Sequence, residues 1–269
     1  MKRTLILLAI LAAIGPAWGA EVVSSNIVGY HKISLVKGFN MVAPQFVNVG
    51  ATTLTRDIST IGVLDDSMAG YGDDYLYSTE LMAWDPTKQD YVNYGWAGTS
   101  PEDIDSMPEL NNTWLDAGTE ATDDTVDVGQ GFWIKAGTAG TMTISGEVPS
   151  ANNIPAGGLV VNLVQGFNMV ANPYPMAVPV STFGQLDASM SGYGDDYLYK
   201  TELMAWDPTK QDYVNYGWAG TSPEDIDSMP ELNNTWLDAG TEATDDTIAQ
   251  GACVWIKAEK AGTITFPEL

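Results

Sequence analysis

Short apolar runs rich in β-branched and aromatic residues recur along the chain, each cut off by Gly or Pro, and this pattern predicts strands. Residues 27–35, 39–43, 131–136 and 141–144 are four such runs. Residues 75–84 predict a fifth, in which alternation places Tyr75, Tyr77 and Thr79 on one face and Leu76 on the other. Asp85-Pro86-Thr87-Lys88 reads as a turn, because Pro presets φ at its second position, and residues 91–96 return as the hairpin partner. Ser100-Pro101-Glu102-Asp103 has the form of a capped helix start with Pro at its first position, and Pro108 stops it within two turns. The expected fold class is all-β with minor short helices.

This pattern is written twice. Residues 70–125 match 192–247 at an offset of 122, with 55 of 56 positions identical; only Ser78 against Lys200 differs. The run Gly38-Phe39-Asn40-Met41-Val42-Ala43 recurs from Gly166 at an offset of 128, so a length-tolerant loop is expected between Ala43 and Ile58. Further out the copies have drifted: only 9 of 22 positions agree between 126–147 and 248–269. Homogenisation of the central block at the DNA level and selection of both copies for one surface both account for this. The expected organisation is two tandem β-sandwich or barrel-like domains. The first spans 21–150 and carries an extra N-terminal strand at 24–35. A linker at 151–158 follows, then the second domain at 159–269.

The start of the chain changes the picture from a generic β protein to an exported one. Met1-Lys2-Arg3 is a basic segment, residues 5–14 are apolar, Gly15-Pro16 breaks the run, and Ala17-Trp18-Gly19 presents small residues for cleavage near Gly19-Ala20. Ten apolar residues reach across only about half of a bilayer core, so a cleaved signal peptide over 1–20 is expected and a membrane span is not. The expected location is extracellular or at the cell surface. The net charge of −24 disfavours nucleic acid and anionic lipid and favours solubility, cations and basic partners. Cys253 is the only cysteine, so no intramolecular disulfide forms; it is expected to be a small buried strand residue.

Three stretches carry a family resemblance. Gly166-Phe-Asn-Met-Val-Ala-Asn-Pro-Tyr174 opens the second copy, residues 197–207 form its hairpin, and Gln130-Gly-Phe-Trp-Ile-Lys-Ala136 closes the first copy. Together they resemble a small β module of secreted and cell-surface bacterial proteins, which opens on "GWNLVGNPY" and closes on "QGFWVKA". The first copy departs from it at Pro44-Gln45, where Asn-Pro is usual, and the second at Gln250-Gly251-Ala252-Cys253-Val254. The resemblance implies a secreted or surface-associated module and carries over no catalytic activity.

Candidate chemistry is sparse. His31 is the only histidine and lies outside the repeated block, so neither a Ser-His-Asp triad nor His/Cys zinc ligation fits both modules. It is expected on the exposed face of an N-terminal strand. Paired carboxylates, among them Asp73, Asp74, Glu80, Asp85, Glu102, Asp103 and Asp105, leave a glycoside hydrolase as a third reading, although no motif singles out a cleft. Loop carboxylates suit calcium: Asp73, Asp74, Asp103, Asp105, Asp123 and Asp124, with Asp195, Asp196, Asp225, Asp227, Asp245 and Asp246 in the second copy. Aromatics set among Gly, Asn and Asp suggest a glycan-binding face: Tyr94, Trp96 and Trp114, with Tyr216, Trp218 and Trp236. Trp84 and Trp206 are read instead as core or cross-strand ladder residues. The leading expectation is a non-enzymatic extracellular structural protein, a surface-layer, matrix or filament subunit that self-associates. The alternative is a carbohydrate-binding or adhesive protein that takes an extracellular glycan.

Overall fold

A computed structural model describes residues 28–70, 77–98, 110–116, 121–150, 154–190, 199–220, 232–238 and 244–267. The fold is all-β and sandwich-like. The first ten strands are β1 Val28–Leu35, β2 Gly38–Val42, β3 Thr55–Asp57, β4 Val63–Leu64, β5 Thr79–Asp85, β6 Asp90–Trp96, β7 Trp114–Leu115, β8 Thr125–Asp127, β9 Phe132–Ala136 and β10 Gly140–Glu147. The second ten repeat them: β11 Leu159–Leu163, β12 Gly166–Ala171, β13 Val178–Pro179, β14 Gln185–Leu186, β15 Thr201–Asp207, β16 Asp212–Trp218, β17 Trp236–Leu237, β18 Thr247–Ile248, β19 Cys253–Ala258 and β20 Gly262–Phe266. Among the described residues helical structure is limited to short 3-10 turns, such as Ile58–Thr60 and Val180–Thr182. Among the described residues no helix is long and apolar enough to cross a membrane. The signal segment and the helix start at Ser100 lie outside the described residues, as do Tyr75 and Leu76; the described strand of that run is β5.

Each module has a five-stranded antiparallel sheet, ordered β2-β9-β5-β6-β7 and β12-β19-β15-β16-β17. A three-stranded sheet faces it, ordered β1-β10-β4 and β11-β20-β14. Strand alternation decides what fills the space between them. In β9, Phe132, Ile134 and Ala136 point into the first core, where they meet Leu81 of β5, Trp96 of β6, and Met142 and Ile144 of β10. Trp133 points the other way and is still buried, so the large sheet is apolar on both faces. Asn40 explains the polar position within the Gly-Phe-Asn-Met-Val run. Its Oδ1 accepts from Val36 N (2.8 Å), and its Nδ2 donates to Val36 O (2.9 Å), which locks the β1–β2 turn. Asn168 repeats this on Val164.

One expectation is corrected. The N-terminal strand is not extra: β1 pairs with β10 of its own module, as β11 pairs with β20, and it is only longer than its counterpart. The loop between Ala43 and Ile58, where the length difference falls, reaches across to the other module. Its Val47, Ala51 and Leu54 pack with Val128 into the core of the second module, which is how the extra six residues are used.

Tyr94 and Tyr216 close each core at a polar edge. The Tyr94 hydroxyl donates to Asp124 (2.6 Å) and the Tyr216 hydroxyl to Asp246 (2.7 Å). Burial, and then the bond to the carboxylate, raise both phenols above their ordinary range. Burial also raises Tyr91, Tyr174 and Tyr213. A raised phenol stabilises the fold fully below the unfolded pKa of about 10, and that contribution disappears as pH climbs toward the folded value. Denaturant midpoints should therefore fall steeply above about pH 10. The double variant Tyr94→Phe/Tyr216→Phe should be less stable at neutral pH and show a shallower alkaline slope. Equal slopes in both proteins would refute this assignment.

The inter-module seam as the candidate functional site

The outward faces of the two large sheets meet each other. Met41, Met82, Trp84, Tyr91 and Trp133 come from the first module, and Met169, Met204, Trp206, Tyr213 and Trp255 from the second; with Ala43, Ala171 and Cys253 they form a third apolar cluster. Every principal contact occurs twice with the modules exchanged, so the seam has approximate two-fold symmetry. Trp84 meets Trp255 edge to face at 5.0 Å, and Trp206 meets Trp133 likewise at 5.1 Å. Such pairs contribute about 0.5–1.5 kcal/mol beyond area burial. The Trp84 indole N–H donates to Phe167 O (2.8 Å), and that of Trp206 to Phe39 O (3.0 Å). Ala43 N donates to Gly251 O and Ala171 N to Gly129 O, both at 2.9 Å.

A clasp at the hairpin tips completes the seam. The Gln89 side chain donates to Phe167 O (3.0 Å) and accepts from Phe167 N (2.8 Å). Gln211 does the same to Phe39, at 3.2 and 3.4 Å. Gln89 and Gln211 hold φ values of 54° and 52°, a conformation that non-glycine residues seldom adopt, and the turn is thereby aimed across the seam. These two glutamines carry no signal in a turn reading. The one clue is a bulky residue, in both copies, where a left-handed turn position favours Gly or Asn.

The structure redistributes the aromatics. Tyr94, Trp96, Trp114, Tyr216, Trp218 and Trp236 were expected on a glycan-binding face, but all six are buried in the two sandwich cores. Asn93 and Asn215, next to Tyr94 and Tyr216 on β6 and β16, are exposed on the opposite face of the strand. Tyr94 and Trp96 point inward, while Gly95 between them is covered by the Tyr77 ring. Trp84 and Trp206 are the seam residues. His31, expected on an exposed face, is half-buried against Gly251 of the other module, with a buried Nδ1. Cys253 is buried on β19 as expected, and burial pushes its thiol up.

The carboxylates are only partly described. Asp73, Asp74, Asp103, Asp105, Asp195, Asp196, Asp225 and Asp227 lie outside the described residues. Asp124 and Asp246 accept the tyrosine bonds above, and Asp123 and Asp245 are exposed beside them. No group of three or more His, Cys, Asp or Glu suited to a metal occurs among the described residues. Glu80 pairs with Lys135 at 3.0 Å. Asp85 caps its turn through the Thr87 and Lys88 amides, and its bond to the Lys88 side chain lowers its pKa.

The fold and seam define a class: an all-β tandem repeat whose modules are joined face to face as an internal pseudo-dimer. Comparison with known proteins finds no matching family model, no matching curated protein and no matching solved structure.

Proposed function

We propose that the chain is a non-enzymatic extracellular structural protein, a subunit of a surface layer, matrix or filament. The observation that carries this reading is a pair of open sheet edges. β1 and β11 each end a three-stranded sheet, and no described strand pairs with their outer sides. Val28 and Tyr30 on β1 are 61% and 77% exposed, and Val160 on β11 is 51% exposed. An uncovered edge with apolar side chains is a template for strand addition. The seam holds the two modules at a fixed orientation, so one unit offers two such edges. Contacts between unlike edges grow into chains rather than closing into a pair. The signal-like leader and the resemblance to secreted β modules add export to this picture.

Charge decides when such units meet. A net charge of −24 opposes contact between copies, and screening ions or calcium at the acidic loops reduce that repulsion. Sedimentation and negative-stain microscopy of the secreted protein test the reading. Larger particles or filaments are expected as concentration rises and as millimolar calcium follows EDTA treatment, and Tyr30→Lys on the β1 edge should suppress them. A monomer at every concentration, with and without calcium, would overturn the proposal.

A further inference from the structure

The two-fold symmetry of the seam fails at one place, where two equivalent clefts differ. One lies where β1 and β2 face Trp206, Pro208 and the 247–253 segment, and it encloses about 280 Å³. Its counterpart, where β11 and β12 face Trp84, Pro86, Gln130 and Gly131, encloses about 10 Å³. Polypeptide fills the closed cleft. Gln130 of the first module forms an antiparallel bridge with Val170 on the outer edge of β12, and Asn162 stands beside it in the lining. The equivalent residues on the open side, Ala252 and Ser34, are smaller, and among the described residues Ala252 forms no such bridge with Val42. The β2 edge is left open at Met41. Phe39 and Ala43 turn backbone groups toward the second module: Phe39 O accepts from Trp206 and Gln211, and Ala43 N donates to Gly251 O. Met41 lies two residues from each, so strand alternation gives its N–H and C=O the same direction. No described backbone group bonds them on that side. Met41 is only half-buried, whereas its equivalent Met169 is 4% exposed.

We infer that the open cleft takes the Val22-Val23 end of a second copy's N-terminal segment, which adds to the β2 edge at Met41 as an antiparallel strand. The twin cleft shows the kind of occupant, since extended backbone fills it. No charged side chain lines the open cleft, so the entering residues must be uncharged as well. Val22-Val23-Ser24-Ser25-Asn26-Ile27 carries no charge and is rich in β-branched residues. The other stretches of similar length outside the described residues, at 71–76, 99–109, 191–198 and 221–231, all carry carboxylates. Trp206, Pro208 and Ile248 give the cleft an apolar wall for the valines. A volume near 280 Å³ suits a pair of residues, with the rest of the segment running out along the edge. The segment is too short to serve its own copy. It joins β1 at Val28, whereas the cleft begins at Ile33, about 17 Å further along the strand at about 3.3 Å per residue. A two-residue turn at Asn26-Ile27 would bring Val22 only opposite His31. The inference rests on the assembly reading for the meeting of copies, but its contact is separate from the β1 and β11 edges.

The closed cleft supplies the control. A synthetic peptide of residues 22–27, blocked at both ends, is titrated into the secreted protein, and binding is followed by calorimetry and by the Met41 methyl resonance. One saturable site per chain is expected, and sedimentation should show assemblies shrinking as the peptide displaces the neighbour's segment. The variant Ser34→Asn/Ala252→Gln fills the open cleft with residues the chain already holds at the equivalent positions. It should weaken peptide binding by about tenfold or more while melting like the parent. Val22→Asp/Val23→Asp should shrink the assemblies yet leave the cleft able to take the added peptide. If the filled variant misfolds, the Met41 resonance of the parent still decides, because a peptide bound elsewhere leaves it in place. Tyr30→Lys separates the two readings: it removes the β1 edge contact and should leave peptide binding unchanged. Absence of saturable binding, or binding unchanged in the filled variant, would overturn the inference and leave edge-driven assembly to be judged by its own test. A parent that stays monomeric and takes up peptide only once its own valines are replaced would place the segment in its own cleft, and would equally overturn it.

Discussion

Trp206→Ala should destabilise the chain by about 3 kcal/mol, the lower end of the range for deleting a large aromatic side chain, because the indole keeps some exposure. The substitution removes the edge-to-face contact with Trp133, a second one with Tyr213 at 4.9 Å, and the hydrogen bond to Phe39 O. Gln211 still donates to that carbonyl, which limits the polar loss. Trp84→Ala should cost a similar amount through Trp255, Tyr91 and Phe167. At this chain length the loss corresponds to a melting temperature lower by about 6–12 °C for each single variant. The double variant should lose the coupling between modules and unfold in two resolved steps. Cys253 offers an independent readout, since its buried thiol reacts only when the seam opens. Alkylation should therefore be slow in the parent and accelerate markedly in the double variant. If that variant melts like the parent in a single step, the seam does not hold the modules together.

This expectation shows where the sequence was readable. The strands were legible because β9 and β5 carry β-branched and aromatic runs, and the β5–β6 turn because Asp85 and Pro86 have only that local use. The repeat revealed the doubling. Alternation, however, says which residues share a face and not what covers that face. Tyr94 and Trp96 share a parity that fits a core or a surface equally well, and Trp84 shares with Met82 and Tyr91 a face that alternation alone would allow in solvent or in a seam. The deciding fact is the packing of one large sheet against the other, a contact between residues more than 80 positions apart. The departures from the module motif at Pro44-Gln45 and at 250–254 are far apart in sequence, and only the packing of the modules brings Gln45 beside Gly251.

Gly131 and Cys253 stand opposite one another near the symmetry axis of the seam, and they provide a second large effect. They are equivalent positions in the two copies, yet one has a side chain and the other has none. A Cβ added to Gly131 would sit 2.3 Å from Cys253 Sγ and 2.5 Å from its Cβ. Cys253 cannot retreat easily, because it is 3% exposed, and the added Cβ would also meet Met169 Cγ at 3.3 Å. Gly131→Ala should therefore force the modules apart or strain both strands, at a cost of about 1–3 kcal/mol. The cost should be conditional. With Cys253→Gly in place the axis is empty, and the same alanine then fills a void, so Gly131→Ala becomes neutral or stabilising. Measured by urea denaturation, the double-mutant cycle should give a coupling energy of at least about 1 kcal/mol. Additive effects would place the two residues out of contact and remove the central element of the seam. Strong coupling would show that the copies have diverged as complements, each shaped by the other, because two cysteines or two larger side chains do not fit where one Cys and one Gly do.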